Sequence, residues 1–203
     1  ESNPEISITH SDEELIDEDG HIFSTYNMKR HSGILYEKLL IDNFVSITTA
    51  MVRRECFEDL GMFDETIKLA PDYDLWLRFS TKYKFHYEPQ YFAQYRVMED
   101  QLSSDKIARF ISNKKIMESF FTQFPKLINK RKQNYFRCRF YTRWGNEVAA
   151  TSNFKGALHN YFTALKHNFF CRHTWRGIIK LVIKFLINKY IIIFINFLIK
   201  LNI

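Results

Sequence analysis

The sequence predicts an α/β domain followed by an α-helical C-terminal extension. Three observations predict it: short alternating apolar and polar runs near the N-terminus, an amphipathic helix opening on Pro71, and a switch to helix-period patterning beyond Ser103. The switch coincides with a division of charge. Residues 1–103 carry 10 Lys/Arg against 20 Asp/Glu, whereas residues 104–203 carry 19 against 3, so halves at −10 and +16 underlie a net charge of +6. Such asymmetry predicts two modules in different surroundings, the second facing an anionic partner.

Taken in order, Ile6-Ser7-Ile8-Thr9 alternates as a strand does, and residues 22–26 supply a second strand across the acidic turn ending at Gly20. Residues 36–40 read as a short helix, and residues 45–52, rich in Val, Ile and Thr, as a strand. Residues 53–60 form a helix with Glu55, Glu58 and Asp59 toward water, which Gly61 ends. Pro71 at a first helical position and Asp72 in the first turn start a helix that runs to Ser80 or Tyr83. Residues 85–88 and 91–95, joined across Pro89-Gln90, predict a hairpin.

Beyond Ser103, residues 106–121 carry Ile107, Phe110, Ile111 and Met117 near helical spacing and stop before Pro125. Residues 126–150 and 154–167 predict an antiparallel helix pair, with Ala157, Leu158, Tyr161, Ala164 and Leu165 on one face; it resembles a single tetratricopeptide-like unit. One such unit cannot bury its own face and must pack on the preceding domain or on the last helix. From Gly177 the chain is apolar but interrupted by Lys180, Lys184, Lys189 and Lys200. A membrane span needs about twenty apolar residues, and the longest uncharged run is 190–199. Lys180, Lys184 and Asn188 form a polar stripe, the pattern of an amphipathic helix lying in the headgroup region. The alternative is a helix packed on the preceding pair. The expected organisation is thus 1–103, 104–176 and 177–203.

Composition excludes several classes. The 46% apolar content supports a substantial core and argues against disorder. Cys56, Cys138 and Cys171 are odd in number and widely spaced, so neither a disulfide framework nor a zinc site is indicated, and a reducing cytosol fits. The seven His show no metal-binding spacing. The basic half lacks zinc-finger spacing and RNA-binding signatures, which favours an anionic membrane surface over nucleic acid.

The densest chemistry lies in Ala70-Pro71-Asp72-Tyr73-Asp74-Leu75-Trp76-Leu77-Arg78. Upstream stands Gly61 with Phe63-Asp64-Glu65, and downstream Tyr95-Arg96 and Gln101-Leu102-Ser103. Asn43-Phe44-Val45, Thr48-Thr49-Ala50-Met51-Val52-Arg53-Arg54-Glu55, Ser11-Asp12-Glu13 and Ile16-Asp17-Glu18-Asp19-Gly20 complete an ordered set over residues 1–105. In order and spacing this set resembles the acceptor-side, C-terminal portion of a family 2 glycosyltransferase of GT-A type. The resemblance implies a partial GT-A domain. It also implies that the nucleotide-binding half, with the Asp-x-Asp that holds Mg²⁺ or Mn²⁺, precedes Glu1, so that these residues alone are inactive and no metal ligand is expected in this chain.

The same resemblance implies inverting transfer from a nucleotide-diphosphate sugar to a glycan or lipid-linked acceptor in surface polysaccharide synthesis, by an enzyme peripheral to the inner face of the cell membrane. Asp72 takes the place of the family's general base, although Pro71 replaces the preceding Glu. A carboxylate within reach of the acceptor hydroxyl can accept its proton, and a helix N-terminus favours the ionised form. The plainer alternative is that Asp72 caps the helix. Trp76, one turn on, either floors the acceptor pocket or packs in the core. Thr48 and Thr49 are candidates for sugar hydroxyls or ordinary strand threonines. Arg96 is expected near the diphosphate or a carboxylate, while Met98 occupies the place of a family His and is a poor ligand for hard cations. Asp74 and Arg78 are expected to support the helix as an i,i+4 pair. Asp17-Glu18-Asp19 reads as a solvated turn rather than a metal motif. A non-catalytic membrane-associated adaptor is the alternative function.

Overall fold

The computed structural model describes residues 3–26, 28–98, 101 and 105–200, with side chains up to residue 187 and at 190. It contains two compact units, 1–125 and 126–203. The helix after Ser103 lies in the first unit, not in the extension to which its pattern assigned it, so the observed boundary follows Pro125.

The first unit is built on β1 (Ile6–Ile16), which pairs antiparallel with β2 (Ile22–Thr25) and β3 (Met51–Val52) and parallel with β4 (Lys84–Arg96). β1 extends well beyond its alternating start because a central strand can bury polar side chains that find partners. Ser7, His10, Ser11 and Glu13 are all buried on it. The expected hairpin at Pro89-Gln90 is instead one continuous strand. Its register jumps from Ser11 opposite Glu88 to Asp12 opposite Tyr91, so Pro89 and Gln90 bulge out of the ladder. A bulge removes the need for the N–H that proline lacks.

Residues 45–52 differ from expectation as well: Ile47–Thr49 is a 3₁₀ turn, and only Met51–Val52 is strand. β-Branched content gave the wrong state here because Ser46, Thr48 and Thr49 bond locally and to Glu13, offering the backbone an alternative to a ladder. Around the sheet stand α1 (Tyr36–Leu39), α2 (Arg54–Leu60), α3 (Pro71–Phe79) and α4 (Lys106–Gln123). Gly61 closes α2 at φ +83°, a conformation costly for other residues. Asp105 caps α4 by accepting the Ile107 and Ala108 amides. The core gathers Leu39, Leu75, Trp76, Leu77, Phe79 and Phe85.

The second unit is α5 (Lys130–Ala150), α6 (Phe154–His167) and α7 (Arg172–Lys200), with Asn129 and Asn153 capping the first two. The α5–α6 pair does not stand alone: Ala157 and Tyr161 of α6 pack with Leu181 of α7. Among the described residues, no helix is long and apolar enough to cross a membrane. Asn188 and the side chains of Lys189 and Lys200 lie outside the described side chains, as Leu102 and Ser103 lie outside the described residues.

Candidate functional site

Ala70, at φ 56° and ψ 46°, turns the chain through the left-handed region immediately before Pro71 and so sets where α3 begins. That conformation is uncommon for a residue with a Cβ. Asp72 therefore stands in the first turn, half-buried. Its Oδ2 accepts a hydrogen bond from Asn43 Nδ2 at 3.3 Å. Asn43 is itself oriented, because its Oδ1 accepts the Val45 amide at 3.4 Å.

Burial pushes the Asp72 carboxyl above its ordinary value; the Asn43 bond, the amides of Tyr73 and Asp72, and the Arg109 charge pull the other way without cancelling it. The helix terminus thus favours the ionised form, as its dipole requires, but desolvation outweighs it. A carboxylate displaced upward is a stronger base once ionised.

Arg109 comes from α4, one turn before Ser112, whose hydroxyl donates to Leu69 O at 2.5 Å. This bond ties α4 to the segment just before α3. The same guanidinium also influences Tyr26, whose hydroxyl is raised first by burial and then by Tyr95 and Glu13.

A buried polar network lies behind Asn43. Arg30, its side chain fully enclosed, donates Nε to Asp12 Oδ1 at 2.9 Å and Nη1 to Phe44 O at 2.8 Å, with Nη2 3.7 Å from Glu13 Oε1. Glu13 accepts the Ser46 hydroxyl at 2.9 Å and also that of Thr48. Tyr87 donates to Asp12 at 2.6 Å, which raises the phenol to about 12. The network joins β1 and β4 to the segment that carries Asn43, and so fixes the partner of Asp72. Asp42 and Phe44, on either side of Asn43, line a hollow of about 310 Å³ together with Lys29, His31 and Lys38.

The other expected residues fall as follows. Trp76 is 2% exposed and meets Phe79 and Phe85 edge-on at 6.4 and 6.3 Å, so it packs in the core and offers no free face to a sugar. Thr48 is bound to Glu13, and Thr49 donates to Ser46 O at 3.2 Å; both belong to the 3₁₀ turn. Arg96 donates to the carbonyls of Asp17 and Glu18 at 2.8 and 2.6 Å and so closes the β1–β2 turn. Asp74 and Arg78 form a 2.8 Å pair, and Arg78 also donates to Leu60, Gly61 and Met62 carbonyls, joining α3 to the end of α2.

The positions that Asn43, Glu13, Arg30 and Arg109 take around Asp72 are scarcely legible in the sequence. Asn43 and Glu13 stood within the matched motifs, but their meaning depends on pairings across about thirty residues. Among the described residues, Asp17, Asp19 and His21 are close enough together to hold a cation. Asp17 Oδ1 already accepts the Asp19 and His21 amides at 3.0 and 2.8 Å, which makes the group an ordered turn. Among the described residues, no such cluster includes Asp72.

No family model matches the chain. Over 119 residues it is 25% identical to an uncharacterized glycosyltransferase of Rickettsia typhi and 24% identical to one of Rickettsia prowazekii, covering 56% of this chain in each case. The chain spans 37% of the length of these curated relatives. The similarity supports a glycosyltransferase relationship, and the mixed α/β architecture of the first unit is compatible with one.

Proposed function

We propose that residues 1–125 are the acceptor side of a family 2, GT-A-type inverting glycosyltransferase in which Asp72 is the general base. The observation that carries this reading is the half-buried Asp72 carboxylate, oriented by Asn43 and raised by burial, within a chain similar to glycosyltransferases. In the step, the acceptor hydroxyl passes its proton to Asp72 as its oxygen bonds to the anomeric carbon. The bond from that carbon to the leaving diphosphate breaks from the opposite face, which inverts the centre. Arg109 supplies positive charge near the base.

The donor is a nucleotide-diphosphate sugar and the acceptor a glycan or lipid-linked glycan, in surface polysaccharide synthesis. The Mg²⁺ or Mn²⁺ that neutralises the leaving group in such enzymes is proposed to bind through the donor-binding portion. Unit 126–203 is proposed to hold the enzyme on an anionic membrane surface at the cytoplasmic face. The test uses the enzyme complete with its donor-binding portion. Asp72→Asn is expected to remove transfer while donor binding, measured by calorimetry, is unchanged; retained transfer would reassign Asp72 to helix capping.

A further inference from the structure

Packing of the second unit leaves one surface of conspicuous composition uncovered. At the turn between α6 and α7, Phe169, Phe170 and Trp175 are 59%, 86% and 39% exposed. They form a built corner. Trp175 Nε1 donates to Phe169 O at 2.7 Å, and the Phe169 ring meets Trp175 and Phe170 edge-on at 5.5 and 5.4 Å. Buried Cys171 and Thr174 anchor this corner from inside.

From Trp175, the exposed side chains Ile179, Val182, Ile183 and Leu186 continue at helical spacing down α7. The inward edge of the same helix is a different one, made by Thr174, Gly177 and Leu181. Arg176 and Lys180 flank the stripe, with Arg172 beside the corner. Residues 126–203 as a whole hold 15 Lys/Arg and a single acid, Glu147.

We infer that the Phe169-Phe170-Trp175 corner and the adjoining α7 stripe are a lipid-docking face, the rings entering the headgroup region of an anionic membrane while Arg172, Arg176 and Lys180 meet its phosphates. Indole and phenyl rings favour that interface, and each cation near an anionic leaflet strengthens attachment. Two rival occupants fit less well. Nucleic acid would satisfy the cations but leave the aliphatic stripe against sugar and phosphate. A second copy docking through the same face would bring two strongly basic units together, which like-charge repulsion opposes. The inference rests on the membrane-association part of the reading above, and not on sugar transfer.

The test is flotation of the full chain with vesicles of phosphatidylcholine alone or mixed with phosphatidylglycerol. Wild type is expected to float with the mixed vesicles and to be released by salt. Phe170→Ala should weaken partition about tenfold and Arg176→Glu about fivefold or more, with unfolding transitions unchanged for Phe170→Ala. Mixed-vesicle binding that Phe170→Ala and Arg176→Glu leave intact would overturn the corner while leaving membrane association standing. Absence of vesicle binding would overturn both. Self-association in sedimentation, or RNA binding without vesicle binding, that Phe170→Ala abolishes would assign the face to that partner and overturn the lipid. Asp72→Asn is expected to bind vesicles as wild type does, which separates this result from that of the transfer assay.

Discussion

Asp72 is held between opposing influences, and their balance has a consequence for stability. Burial raises its carboxyl, while Asn43, two amides and Arg109 oppose this incompletely. A carboxyl raised on folding binds its proton more tightly in the folded state. It therefore costs no stability below its unfolded value and progressively destabilises the fold as pH rises through the folded one. Asp72→Asn, which mimics the neutral form, is predicted to raise the melting temperature of the first unit at neutral pH, with the difference vanishing in acid. Thermal unfolding of the two proteins at both pH values checks this; equal melting at neutral pH would mean that the carboxylate is not disfavoured by its surroundings.

Part of the local structure around Asp72 is legible in residue identity alone. Asp72, Asp74 and Arg78 were placed by proline chemistry and i,i+4 spacing, which are local. Trp76 was not, because spacing puts it on the face of Asp72 without saying that α3 is buried on nearly every side. The carbonyl partners of Arg96 are out of reach of local pattern for a related reason: Asp17 and Glu18 lie about eighty residues away, where only the fold of β4 against β1 brings them.

At the level of elements, short-range patterning located the helices well and the strands less well. Helix ends carry their own signals in Asp105, Asn129, Asn153, Gly61 and Pro71, each acting on neighbouring backbone. Strand pairing carries fewer. The polar run after Ile8 disguised the length of β1, and Pro89 disguised the continuity of β4, because both depend on what the partner strand supplies.

The three helices of the second unit interlock through one ring, an arrangement that no single segment announces. Tyr161 of α6 lies between Gly145 of α5 and Gly177 of α7, where added Cβ atoms would stand 2.6 and 2.8 Å from its ring carbons. The ring cannot easily yield, since it is buried and its hydroxyl donates to Asn146 Oδ1 at 2.8 Å. Alanine gains about 1 kcal/mol of helix propensity over glycine, but overpacking typically costs about 1–3 kcal/mol. Gly145→Ala is predicted to be net destabilising in chemical denaturation. Its cost should shrink when Tyr161 is also replaced by Leu, as coupling between contacting sites requires; full additivity would show that the ring is not the obstacle.

Over the whole molecule, the division of charge visible in the sequence corresponds to two compact units with different work proposed for each. Charge placed the division near residue 103, whereas packing places it after Pro125. The reason is α4: its Ser112 bond to Leu69 and its buried Ile116, Met117 and Phe120 belong to the first unit, although its lysines resemble those of the second. Composition follows what a surface faces, and contact follows what a core needs. The polar network from Arg30 through Phe44 to Asn43 is likewise a property of the assembled unit, and it brings together residues that the chain keeps apart.

In the proposed reaction the Asp72 carboxylate, oriented by Asn43, accepts the acceptor's proton. The pH dependence of kcat/KM for sugar transfer by the complete enzyme tests it most directly, because its acid limb reports the free enzyme's essential base. Activity is expected to fall as pH drops through the raised Asp72 value, and Asn43→Ala, by removing a bond that lowers this value, is expected to move the limb to higher pH. An acid limb that Asn43→Ala leaves in place, with transfer surviving in Asp72→Asn, would contradict it.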